Sequence, residues 1–237
     1  MNHLKHASII VDLRDLIDLL KKYNFFPALI EPQNLNGLLK SGNELFYLYD
    51  TNDIVFNVTA SGMNSNPNVK KIVVILNTQY QLKEILSNKS DIFEDYNFNI
   101  LIKGYWNKSA SPEDDSNFFC WHLDRELVTD GNFTHPYYHF HAGGHHVGDR
   151  DPGELLLISS PRIPHPPMDI FLAIHFILLN FFNTKDFREQ KKILENENYQ
   201  AIIDRAQKRV LEPYFAALND DSHDDYSRHN LFPLIYS

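Results

Sequence analysis

The chain has 237 residues, 43% hydrophobic and 22% charged, a balance that supports a packed core and excludes a disordered chain. Its 22 Lys and Arg against 31 Asp and Glu give a net charge of −9, and no basic run gathers cations on one surface, which disfavours non-specific nucleic-acid binding. One cysteine, Cys120, excludes an intrachain disulfide and suits a reducing compartment.

The opening stretch, MNHLKHASIIVDLRDLIDLL, lacks a signal-peptide pattern, because Asp12, Arg14, Asp15 and Asp18 interrupt its apolar part. The most apolar stretch, residues 168–182, is shorter than the ~20 residues of a membrane span. The expectation is a cytoplasmic protein without membrane association. Ser8 caps a first helix whose apolar face is Ile9, Leu13, Leu16, Ile17 and Leu20, with Asp12, Asp15, Asp18 and Lys22 away from it. Residues 35–39 suggest a short helical turn. ELFYLYD (44–50) and DIVFNVTA (53–60) read as strands joined by a hairpin at Thr51-Asn52. SGMNSNPN (61–68) reads as a loop, KKIVVILN (70–77) as a buried strand, and 79–87 as a helix. NFNILIKGYW (97–106) alternates as a strand, and 107–117 is a turn-rich loop.

Two histidine-rich runs follow, FFCWHLDRELV (118–128) and FTHPYYHFH (133–141), separated by Thr129-Asp130-Gly131-Asn132. Asp-Gly between strand-like runs favours a two-residue hairpin turn. With Asp130-Gly131 as that turn, Cys120 opposes His141, His122 opposes His139, Asp124 opposes Tyr137 and Glu126 opposes His135. All eight share one face, and Phe119, Trp121, Leu123, Tyr138, Phe140 and Ala142 share the other. The polar face then groups Cys120, His122, His139 and His141, a donor set suited to Zn²⁺ or another divalent ion.

ELLLIS (154–159) reads as a strand, and the prolines at 161, 164, 166 and 167 impose an extended or turned connection. Residues 168–183 form a buried helix with Asp169 near its positive end. Residues 185–197 and 199–211 are helical by period, and Pro213 bends or ends the second. Residues 219–229 read as solvated chain. The fold class expected is α+β: a mostly antiparallel sheet, an N-terminal helix and a helical C-terminal third. Residues 1–218 form one domain and 219–237 an acidic, mobile tail.

The expected metal ligands are His122, His139 and His141, with Cys120 or His145 as fourth. Asp124 or Glu126 serves as outer partner or base, Arg125, Arg150 or Arg162 as an anion holder, and His165 either closes over the sheet face or remains in an exposed loop. The corresponding function is a metal-dependent hydrolase acting on a small-molecule substrate, with a phosphoester as one class. Two other readings stay open: metal-free histidine acid/base catalysis, and a non-catalytic binding protein with a structural histidine face and a helical surface for a protein partner. His175, on an apolar helix, reads as a satisfied core histidine.

The His-x-His before a Gly-rich run, with PRIPH further on, resembles the metal motifs of cupins and implies a β-barrel metal site. The chain departs from that pattern: no glutamate follows His141 at the expected place, and the helical last third has no counterpart in a bare barrel. WHLDRE (121–126), HPYYHFHAGG (135–144) and PRIPHPPMD (161–169) resemble uncharacterised conserved bacterial proteins, a likeness over about a quarter of the chain that implies no activity.

Overall fold

A computed structural model of the chain describes residues 6–29, 31–45, 48–58, 68–83, 89–110, 117–127, 135–143, 162–182, 188–219, 222, 225–233 and 235. Helix α1 (His6–Lys22) buries Ile9, Leu13, Leu16, Ile17 and Leu20 as its periodicity demands. Asp12 is buried too, contrary to its expected outward place, because Arg205 forks onto it with contacts of 2.7 and 3.0 Å. The turn expected at 35–39 is part of a longer helix, α2 (Pro32–Leu45), with proline at its first position.

Among the described residues the sheet is antiparallel and has seven strands, β1 (Leu48–Asp50), β2 (Ile54–Val58), β3 (Lys71–Leu82), β4 (Phe93–Tyr105), β5 (Asn117–Arg125), β6 (Tyr138–Ala142) and β7 (Ile163–Pro164). From β3 to β7 the strands lie side by side in chain order, and β1 and β2 both pair with β3. The hairpin expected at Thr51-Asn52 is therefore an interruption in one line of pairing. Tyr49 lies opposite Tyr80 and Ile54 opposite Leu76, so the chain keeps its direction along the same edge. Asn52 and Asp53 take positive φ (44° and 59°), and their carbonyls accept hydrogen bonds from Asn34 Nδ2.

The helix expected at 79–87 is also corrected. Residues 79–82 continue β3 with alternating burial, exposed Gln79 and half-buried Gln81 flanking buried Tyr80 and Leu82. Tyr80 stacks on Tyr49 and meets Phe93 edge-on, so aromatic packing holds this stretch in the sheet. The reading of 61–67 as loop and of 154–159 as strand lies outside the described residues.

One sheet face carries Ile54, Phe56, Ile72, Val74, Leu76, Phe98, Ile100, Leu123, Tyr138 and Phe140 into a cluster shared with the helices, from Ile9 of α1 to Leu231 near the C-terminus. The covering helices include α3 (Ile170–Phe181) and α5 (Glu197–Ala216), which runs on past Pro213; α4 (Arg188–Leu194) packs beside them. The other face carries a smaller cluster of Val55, Val73, Ile75, Tyr105 and Ala110. Among the described residues no helix is long and apolar enough to cross a membrane.

The segment expected to be a mobile tail is anchored where it is described. Ser227 and Asn230 form a capping box on a short helix, α6 (Arg228–Leu231). Tyr226 and Leu231 are buried, and Tyr226 Oη donates to Asp91 Oδ1 at 3.0 Å. Asp91 also accepts from Tyr138 Oη and the Phe93 amide, with Arg125 nearby. Burial raises its carboxyl pKa, and Arg125 and these donors oppose the rise.

A second buried carboxylate starts α3. Asp169 Oδ1 accepts from the Phe171 and Leu172 amides, and Oδ2 takes Arg209 Nη2 at 2.5 Å. The two partners are unequally supported. Asp169→Ala strands a guanidinium that is 1% exposed and should cost about 3–5 kcal/mol. Arg209→Leu leaves the carboxylate its two amide donors and should cost less. Urea unfolding of both variants measures the difference, and equal losses would contradict this division.

Candidate metal centre

Strands β5 and β6 sort their side chains as alternation requires. Cys120, His122, Asp124, His139 and His141 share a face with Asn99 and Leu101, opposite the helices. Their pairing differs from that set by an Asp130-Gly131 turn. His122 lies opposite His141, and Asp124 opposite His139, a slip of two residues. A two-residue slip preserves the faces and exchanges the neighbours. The turn itself, residues 129–132, lies outside the described residues, but the core fixes the pairing on either side of it. Tyr138 lies opposite Arg125, and both reach Asp91.

The slip brings a carboxylate into the histidine group. One ligand atom from each of Asp124, His139 and His141 lies within 4.8 Å of the others, so this two-histidine, one-carboxylate group could hold a metal ion. His141 Nε2 stands 2.5 Å from Asp124 Oδ2. His139 Nδ1 donates to the Pro136 carbonyl at 2.9 Å, which puts the proton on Nδ1 and leaves the Nε2 lone pair free. The Asp124 side chain is 49% exposed and that of His141 20%, so the group is open on one side. Burial pushes the Asp124 carboxyl pKa up, but the hydrogen bond and charge of His141, with His122 and His139, outweigh it and hold the pKa below the usual range. Burial lowers the His139 pKa, and its bond to Pro136 opposes this only in part.

His122, expected as a ligand, is occupied elsewhere. Its Nδ1 faces Asn99 Oδ1 and its Nε2 faces the Gly143 carbonyl, so both nitrogens meet acceptors. Its ring stacks on His141 with centroids 5.1 Å apart, which makes it a support for that side chain. Cys120 lies beside His122, with Sγ 3.4 Å from Nε2, and the Gly143 amide donates to the Cys120 carbonyl. Burial and the neighbouring Asp124 push its thiol pKa up to about 12, which opposes a thiolate ligand. Glu126 follows the last residue of β5, and its amide donates to the Tyr137 carbonyl.

His165 does not close over this group. Its amide donates to the Tyr138 carbonyl and its ring packs on Phe140, 4.5 Å between centroids, on the helical face. Arg162 precedes Ile163, which pairs with Phe140, so continuing the register sets it level with His141. His145 lies outside the described residues. His175 fits its core reading, with Nδ1 3.0 Å from Tyr199 Oη. Phe119 shares the helical face as expected but is 44% exposed, beyond the reach of the helices.

Sequence reasoning missed Asn99 and the carbonyls of Pro136 and Gly143. Asn99 lies on β4, 23 residues before His122, and nothing local in the sequence ties the two. The Gly143 contact has a partial signal: φ of 102° suits glycine, and the Gly-Gly pair marks a turn.

No family model, curated protein or solved structure matches the chain. Burial lowers the pKa of His165 and His175 from the ordinary 6.5. The fold therefore favours their neutral forms. This contribution to stability is complete above the unfolded value and is lost as pH falls through the depressed folded values. Urea midpoints taken between about pH 8 and pH 5 should fall for the wild type and fall less for His165→Gln. Parallel profiles would remove His165 from this account.

Proposed function

We propose that Asp124, His139 and His141 hold a divalent metal ion, with zinc as the ion, and that the site activates water for hydrolysis of a phosphoester. The observation carrying this reading is the convergence of the three donors within 4.8 Å, with His139 already in the tautomer that leaves Nε2 free. Three protein ligands leave a coordination position open, as in catalytic zinc sites. A bound divalent ion lowers the pKa of a coordinated water toward neutrality and polarises phosphoryl oxygens. His122 supports the His141 ring. With Asp124 as a ligand, Glu126, two residues farther on, takes the general-base role. Arg162 supplies positive charge level with His141. It is half-buried, and its planar guanidinium offers paired donors to an anionic substrate.

A second reading rests on the contact between His141 and Asp124. A carboxylate 2.5 Å from an imidazole nitrogen orients the ring, as a metal-free acid/base pair requires. Chelation separates the two readings. A metal hydrolase loses activity to a chelator and regains it with added ion, whereas the acid/base pair keeps its activity and a bell-shaped pH profile.

Two measurements test the metal reading. Untagged protein should contain about one metal ion per chain, and His139→Ala should lose it. Equal metal content in the two proteins would reject the site, and iron in place of zinc would redirect the chemistry toward oxygen activation. Arg162→Ala should raise KM for an aryl phosphate about 10-fold while changing kcat less. An unchanged KM would leave Arg162 without a substrate role.

A further inference from the structure

Resting on the metal-site reading above, we infer that the C-terminal segment Asp225–Leu231 positions His139 as a ligand, by gripping the peptide unit that fixes its ring. That unit joins Pro136 to Tyr137. Its carbonyl accepts from His139 Nδ1 at 2.9 Å, and its N–H donates to the Asn230 carbonyl at 2.7 Å. A peptide unit is planar and turns as one body. Rotation about its flanking bonds would move the Pro136 oxygen and release the His139 ring, and the bond to Asn230 resists that rotation.

The edge of the sheet shows why the segment is needed here. β7 covers β6 opposite His139 and Phe140, and the His165 amide reaches the Tyr138 carbonyl. Just before β6 the Tyr137 carbonyl still accepts from the Glu126 amide on the β5 side, but the Tyr137 amide leaves the strands and donates to the Asn230 carbonyl, so the C-terminal segment holds the chain where it enters β6.

The segment is itself tied down at several points. Asn230 Oδ1 accepts from the Ser227 amide, and Ser227 Oγ accepts from the Asn230 amide. Asn230 Nδ2 donates to the Asp225 carbonyl at 2.9 Å. Asp225 Oδ2 takes Lys83 Nζ at 2.7 Å and the Asp91 amide at 2.9 Å. Tyr226 donates to Asp91 and lies edge-on to Tyr137, 5.7 Å between centroids. None of these side chains belongs to the three-donor group, so they are positioning residues.

The test loads the full-length protein with Co²⁺ and measures its dissociation constant and visible absorption spectrum, with circular dichroism and thermal melting in parallel. Ser227→Ala and Tyr226→Phe should weaken cobalt binding about 10-fold and alter the spectrum while the fold persists, and Ser227→Thr, which keeps the capping hydroxyl, should restore both. Wild-type affinity and spectrum in Ser227→Ala and Tyr226→Phe, even with lowered melting temperatures, would overturn the inference and leave the segment purely structural. A wild-type protein that binds no cobalt or zinc would overturn the metal reading and this inference with it.

Discussion

The candidate site depends on the antiparallel register of β5 against β6. Opposed side chains in such a pair stand ~4.5–5.5 Å apart on one face, so the register decides which groups can share a ligand. With Asp124 opposite His139 and His122 opposite His141, the carboxylate joins two imidazoles, and the remaining imidazole turns to Asn99 and Gly143. Buried partners on the other face hold this register. Tyr138 and Arg125, themselves a cross-strand pair, both reach Asp91. Moving one strand by two residues would part these groups and take from the buried Asp91 carboxylate part of its compensation.

The helical layer determines why the site is accessible at all. Helices α1, α3 and α5 bury the apolar face of the sheet, where the long aromatic side chains of Tyr80, Phe93, Phe98 and Tyr138 fill the space between layers. Among the described residues the opposite face carries a smaller apolar cluster, and on that face His122 pairs with Asn99, His141 with Asp124, and His139 with the Pro136 carbonyl. A polar group of this kind is stable on a sheet face only when its members are mutually satisfied or meet water. Here Asp124 and His141 meet water, and His139 and His122 are sealed behind them.

Two buried carboxylates organise the ends of this arrangement. Asp169 starts α3 and ties it to α5 through Arg209, and Asp91 ties the C-terminal segment to the strands that carry the site. Each joins parts of the chain distant in sequence, 40 residues apart for Asp169 and Arg209 and 135 for Asp91 and Tyr226. The same distance hid their partners from sequence reading: Asp169 was legible as a helix start, but nothing near it pointed to Arg209, and nothing near Asp91 pointed to Tyr226.

The residue pattern alone determined the helical periods of α1 and α3, the alternation of β4, β5 and β6, and the face on which the histidines stand. These are local properties, set by repeats of about 3.6 and 2 residues. It also determined that Asp124, His139 and His141 share a face, since a two-residue slip leaves faces unchanged. Only the tertiary structure decided the rest. It made Thr51–Asp53 an interruption in an edge strand, kept Gln79 to Leu82 in the sheet, and packed Tyr226 and Leu231 into the core. It also chose which cross-strand neighbours meet. That choice rests on the packing and hydrogen bonding of residues far apart in the chain, such as Tyr138 with Asp91 and Tyr137 with Asn230, and no short window of sequence contains both partners.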